Sequence, residues 1–121
     1  MRFKVKTNDT KVLKKYGFKL PEEWLASGAL DGTNVSEGCL IDGCFFMFGM
    51  DEEDPSKIAI EDEAGNPVIE GWIDTREGRN TLWFDVEPCG TYHIGMDELL
   101  PMMDVIYRMT KDGLLERNDE E

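Results

Sequence analysis

The sequence holds one histidine and three cysteines, and basic side chains number only 13 against 26 acidic ones. No apolar run approaches the roughly 18 residues of a membrane-spanning helix, which argues against insertion in a bilayer. Three cysteines are too few, and odd in number, for an oxidised disulfide scaffold. A formal net charge of −13 excludes generic attraction to a nucleic-acid backbone. A single histidine leaves no H-E-x-x-H zinc helix, and neither G-x-S-x-G nor the phosphate-binding G-x-x-x-x-G-K-[ST] occurs. The first residues, Met1-Arg2-Phe3-Lys4-Val5-Lys6, are charged and lead into no apolar stretch. They predict a chain without a secretory leader, residing in the cytoplasm with reduced thiols.

What is present is enough for a core. Of the 121 residues, 40% are hydrophobic and 10% aromatic. A chain of this length predicts one domain, and a cofactor domain joined to a substrate domain does not fit within it. The charge is bipolar along the chain. Residues 1–19 carry seven basic groups and one acidic group, for +6, and the remainder carries −19. The basic segment is expected to fold back on the acidic body, because unrelieved self-repulsion destabilises a compact state.

Phe3-Lys4-Val5-Lys6 alternates as a short strand does. Asn8, Asp9 and Thr10 offer caps for a helix over 11–16, closed by Gly17, with Phe18 folding back on Leu13. Pro21 suits the first turn of a second helix through Trp24, and Glu22 and Glu23 favour its positive end. Residues 28–38 are rich in loop formers. Asp42-Gly43 suits a type I′ hairpin turn within 39–48, with one long bulged strand as the competing reading. Strands are predicted over 57–61, 68–74 and 81–86, with a short edge strand over 91–94. A final helix starts at Asp97 or near Leu100. Leu99, Met102, Met103, Val105, Ile106 and Met109 form its apolar stripe, and Gly113 closes it with Leu114 packed on Met109. The expected architecture is α+β: an antiparallel meander of four to five strands, with short N-terminal helices and a C-terminal helix packed on one face. The domain spans 1–115, and 116–121 form an acidic tail.

Chemistry-bearing residues are sparse. Cys39, Cys44, Cys89 and His93 make the inventory of a structural zinc site, although strand thiols point poorly for one, and buried thiols are the favoured reading. Cys89 and His93 are also the one pairing open to a small hydrolase, with His93 as base and Cys89 as nucleophile. Asp51-Glu52-Glu53-Asp54 fails the calcium-loop pattern, because Pro55 and Ser56 stand where glycine is needed. Core packing is the default reading of Trp24, Trp72 and Trp83, but Trp72 and Trp83 fall in neighbouring strands beside Glu70, Asp74 and Asp85, and aromatics ringed by acids on a solvent face make a protein-interaction surface. Asp51, Glu52, Glu53, Asp54, Glu70, Trp72, Asp74 and Trp83 are therefore the expected partner-binding residues.

Two stretches carry a resemblance. Leu13–Trp24, reading LKKYGFKLPEEW, and Met103–Glu116 resemble small uncharacterised proteins encoded by prophages of low-GC Gram-positive bacteria. The resemblance implies an accessory-gene setting and supplies no active site. Leu20-Pro21-Glu22-Glu23-Trp24 is also similar to a phrase in the immunity-protein superfamily that protects bacteria from toxins, but the glycine pair usual downstream there is missing. The leading expectation is a non-enzymatic, cofactor-free protein-interaction domain with a basic protein partner. The alternative is an acidic inhibitor of a nuclease or DNA-binding protein, as a nucleic-acid mimic or immunity protein. A homodimer through an uncovered sheet face is a further expectation.

Overall fold

A computed structural model describes residues 2–61, 63–86 and 96–118. Five strands, β1 (Arg2–Val5), β2 (Phe45–Phe48), β3 (Ile69–Asp74), β4 (Thr81–Val86) and β5 (Leu115–Asn118), form one antiparallel sheet in the order β2-β3-β4-β1-β5. The helices are α1 (Thr10–Lys14), α2 (Pro21–Ser27) and α3 (Met96–Lys111). The fold is the expected α+β class. The consecutive strands β2, β3 and β4 make the expected meander, and the two ends of the chain complete the sheet beside β4.

Two helices end alike. After α1, the Phe18 N–H reaches the Leu13 carbonyl at 3.2 Å and the Gly17 N–H reaches Lys14 at 3.1 Å. After α3, the Leu114 N–H reaches Met109 at 2.9 Å and the Gly113 N–H reaches Thr110 at 3.1 Å. Gly17 and Gly113 hold the left-handed conformation that this paired-bond helix end demands. Phe18 and Leu114 then turn back into the core, as the sequence predicts. The second of these ends launches β5 directly. Residues 116–118, expected in an acidic tail, instead pair with β1, with Lys4 opposite Glu116 and Arg2 opposite Asn118.

Alternation along the strands separates two faces. Phe45, Met47, Ile73, Leu82 and Val5 point to one, where Leu13, Tyr16 and Phe18 from the α1 region and Val105 and Met109 from α3 cover them. Gly71 lies on this face because there is no room for a side chain. A Cβ there would stand 2.5 Å from Cγ of Met47 and 2.7 Å from Cε1 of Phe84. α1 and α3 are also tied at their C-terminal ends. The Tyr16 hydroxyl donates to Asp112, and the Arg108 guanidinium lies 5.3 Å from the Tyr16 ring centre. Burial, followed by the bond to Asp112, raises the Tyr16 hydroxyl above its ordinary pKa.

The second face belongs to α2 and the 28–44 loop, so helical cover lies on both sides of the sheet. Trp24, Ala29, Leu30, Val35, Leu40 and Ile58 bury Phe46 and Phe48. Pro21 opens α2 as predicted, and Glu23 pairs with Lys14 at 2.7 Å. That contact joins the basic N-terminal segment to the acidic body. Met103, expected in the buried stripe of α3, is exposed, while Val105 and Met109 face the core.

Other departures are local. Cys39, expected to open a hairpin or long strand, instead ends a 3-10 turn over Glu37–Cys39. Ile41 and Cys44 close a turn at 3.1 Å in which Gly43, but not Asp42, has positive φ. A type I′ turn needs positive φ at both central residues, so there is no hairpin over 39–48. Residues 57–61 pair through isolated bridges, Met50 with Ile58 and Ile60 with Pro67, instead of forming a continuous strand. α3 starts at Met96, before either predicted cap. The predicted edge strand over 91–94 lies outside the described residues.

Gly71→Val is expected to lower stability by about 1–3 kcal/mol through overpacking. Thermal and urea unfolding followed by circular dichroism check this.

Candidate functional site

The register sets a row of aromatic side chains across the second face. Phe46 of β2 stands opposite Trp72 of β3, and Trp72 stands opposite Trp83 of β4. Exposure rises along the row. Phe46 is buried, Trp72 is half-buried and Trp83 is 38% exposed. The cause is the cover above them: among the described residues, α2 and the 28–44 loop close over β2 and stop short of β4. Phe46 and Trp72 stack with their rings 6.1 Å apart and 2° from parallel, which is favourable packing for aromatic faces. The Arg76 guanidinium lies 5.4 Å from the Trp72 ring centre. The Trp72 Nε1 donor is buried and has no partner among the described residues.

Carboxylates flank this row. On one side Glu70 stands opposite Asp85, and on the other Asp74 stands opposite Thr81. Thr81 in turn faces Lys4, which faces Glu116. The sequence-predicted residues Glu70, Trp72, Asp74 and Trp83 are thus brought onto one face. Their roles differ. Asp74 is buried, and the Arg76 side chain donates to it from Nε and Nη2 at 3.0 Å each, with the Arg76 backbone N–H adding a third bond at 3.0 Å. The Arg76 side-chain hydrogen bonds hold the Asp74 carboxyl below its ordinary pKa, against burial, which pushes it up. Asp74 is therefore a fixed ionic lock at the end of β3, while Glu70, Trp72 and Trp83 make up the remaining surface.

The acidic turn over 51–54 sits past the end of β2, outside the sheet. Asp51 turns its oxygens inward, accepting from the Glu53 and Asp54 N–H groups at 2.7 and 3.0 Å. Asp54 accepts from the Ser56 hydroxyl and N–H, and these bonds hold its carboxyl below the ordinary range. Glu52 and Glu53 are exposed. Two of the four acids in this turn therefore stabilise it, and the turn does not join the tryptophan row.

The candidate zinc ligands sit in different surroundings. Cys39 is exposed, with its sulfur 3.5 Å from the Ser36 hydroxyl. Cys44 is fully buried, and its thiol donates to Asp74 at 3.9 Å and lies 3.6 Å from the Thr75 hydroxyl. Cys89 and His93, as zinc ligands or as nucleophile and base, lie outside the described residues. Among the described residues no group of three or more histidine, cysteine, aspartate or glutamate side chains could hold a metal ion. No helix among them is long and apolar enough to cross a membrane.

Sequence reasoning missed the link among Cys44, Asp74 and Arg76. An aspartate two residues before an arginine at a strand end was its only trace, and the 30-residue separation from Cys44 hid the rest. Searches against protein-family models, curated proteins and solved structures found no match to this chain.

Two outcomes follow. Asp74 has a lower pKa folded than unfolded, so it contributes stability above the ordinary aspartate value, and that contribution is lost as pH falls through the folded value. Asp74→Asn should be less stable than the parent at neutral pH, and the gap should close on acidification, as read by urea unfolding across pH. A thiol reagent added to the native protein should modify Cys39 rapidly and Cys44 only on unfolding, as peptide mass spectrometry will report.

Proposed function

We propose that this chain is a non-enzymatic protein-interaction domain whose sheet face around Trp72 and Trp83 receives a basic segment of another protein. The observation that carries this reading is Trp83, a large aromatic held 38% exposed on a rigid strand beside Trp72. Tryptophan is the side chain most enriched where binding energy concentrates, and a strand presents it with little further loss of freedom. The flanking acid Glu70, with the chain's charge of −13, selects a basic partner and speeds its approach. A cytoplasmic setting and a mobile-element gene belong to the same proposal and rest on sequence alone. The nucleic-acid mimic draws less support from this face. Mimicry needs two continuous rows of acids, and here the tryptophan pair, Lys4 and Arg76 interrupt them.

Trp83→Ala tests the reading. The immobilised parent should retain a basic protein that high salt releases, because salt screens exposed charges. Trp83→Ala should bind that protein at least about 30-fold more weakly, the loss expected of an interface anchor. Its unfolding free energy should change far less, because Trp83 lies outside both core clusters. Equal retention by parent and variant would overturn the assignment.

A further inference from the structure

The tryptophan face changes charge from one end of its strands to the other. Glu70 lies near the start of β3, and the antiparallel register sets it opposite Phe48, the last residue of β2. The acidic turn over 51–54 and the segment over 57–61 lie beyond that same end, the segment being held there by the bridge from Ile60 to Pro67. Glu52 and Glu53 are exposed in this turn, and Lys57 is the one base of the two stretches. Glu61 adds a carboxylate oxygen, Oε1, that is buried and accepts no hydrogen bond among the described residues. A buried acceptor without a donor is costly, so this end is short of cations.

The opposite end has cations to spare. Asp74 and Glu77 are each held by an arginine, Arg76 and Arg79. Lys4, next to Thr81 on the face, and Lys6, just past β1, are exposed and form no ion pair among the described residues. Glu116 stands opposite Lys4, but on the strand farther from the tryptophans. Arg76 also fills the cation seat on Trp72. Its guanidinium lies 5.4 Å from the ring centre, and its bonds to Asp74 keep it there, so a second cation brought to that ring meets one already in place. Glu70 and Asp74 are about 13 Å apart at a strand's rise. That exceeds the Debye length of about 8 Å at physiological salt, so a bound segment meets the two ends as separate charges.

We infer that the tryptophan face takes its partner segment in one direction only. The cations of the segment lie over the Glu70 end, its apolar side chains meet the tryptophan pair, and its uncharged or acidic end lies toward Lys4 and Arg76. This direction presupposes that the face is the contact surface proposed above. It narrows the partner to a segment whose basic residues are gathered at one end of an apolar stretch, and it rejects one that is basic along its whole length. Attraction at the Glu70 end and repulsion at the Arg76 end act together, as specificity requires.

Paramagnetic relaxation, read by NMR on the isotope-labelled full chain, tests the direction. The probe is the peptide Leu-Leu-Ser-Lys-Lys-Lys, carrying a nitroxide at its lysine end in one sample and at its leucine end in another, at up to about 1 mM. The lysine-end label should broaden the amides of Glu61 and Glu70 most strongly, and the leucine-end label those of Lys4 and Thr81. Glu70→Gln should weaken peptide binding about two- to fivefold, the worth of an exposed charge pair. Lys4→Glu should let the lysine-end label broaden both ends alike. In the parent, equal broadening of both ends, the reverse pattern, or no broadening at that concentration overturns the direction. Trp83→Ala separates this from failure of the wider reading. If it abolishes broadening that shows no direction in the parent, the face stands as the contact and the direction alone falls. Broadening indifferent to Trp83→Ala overturns both.

Discussion

The carbonyl of Phe46 organises the molecule. It accepts the Lys19 N–H at 2.9 Å and the Trp24 Nε1 at 2.8 Å. The first bond, returned from the Phe46 N–H to the Lys19 carbonyl at 2.9 Å, closes the outer edge of the sheet. An open edge would offer unpaired backbone groups to other chains. The second bond fixes α2 above the sheet and satisfies an indole donor that would be costly to bury alone. Trp24 also meets Phe48 edge-on at 5.0 Å, and Lys19 lies 4.6 Å from the Trp24 ring centre. β2 is consequently buried on both faces, an unusual state for a strand at the end of a sheet.

That fastening decides what remains exposed. With α2 held over β2, its cover ends near Trp72, and Trp83 on the next strand is 38% exposed. The same geometry keeps Trp72 stacked on Phe46, so the base of the exposed surface is rigid. The lock formed by Cys44, Asp74 and Arg76 borders the row and keeps the end of β3 in place. A binding face built this way loses little freedom when occupied, since its aromatic groups are already positioned.

The local chemistry was more legible in the sequence than the long-range pairing. Gly17 with Phe18, Pro21 in the first turn of α2, Gly113 with Leu114 and the strand over 81–86 each follow from near neighbours, and the structure has them as predicted. That Trp72 and Trp83 fall in neighbouring strands was also legible, because a short turn separates two alternating segments; their direct pairing came from the structure. The pairing of β1 with β5 was not. It joins the two ends of the chain, and Leu115-Glu116-Arg117-Asn118 is too polar to announce a strand on its own. Residues 28–38 were read correctly as loop, whereas 39–44 were expected in a hairpin or a long strand, and the apolar residues of this stretch, Ala29, Leu30, Val35 and Leu40, gave no periodic sign that they would form half of a core. Met103 misled because it sits beside the buried stripe in sequence, and helical geometry carries it around to the outer side.

The central claim is that the part of the second sheet face around Trp72 and Trp83 is the contact surface. Photo-crosslinking tests it most directly. A photoreactive residue placed at Thr81, half-buried next to Trp83 on the strand, samples that surface, while one at Glu22, exposed on α2, serves as the comparison. The account predicts a salt-sensitive adduct to a basic protein from position 81 and none from position 22. Adducts from position 22 alone, or equal adducts from both positions, would contradict it.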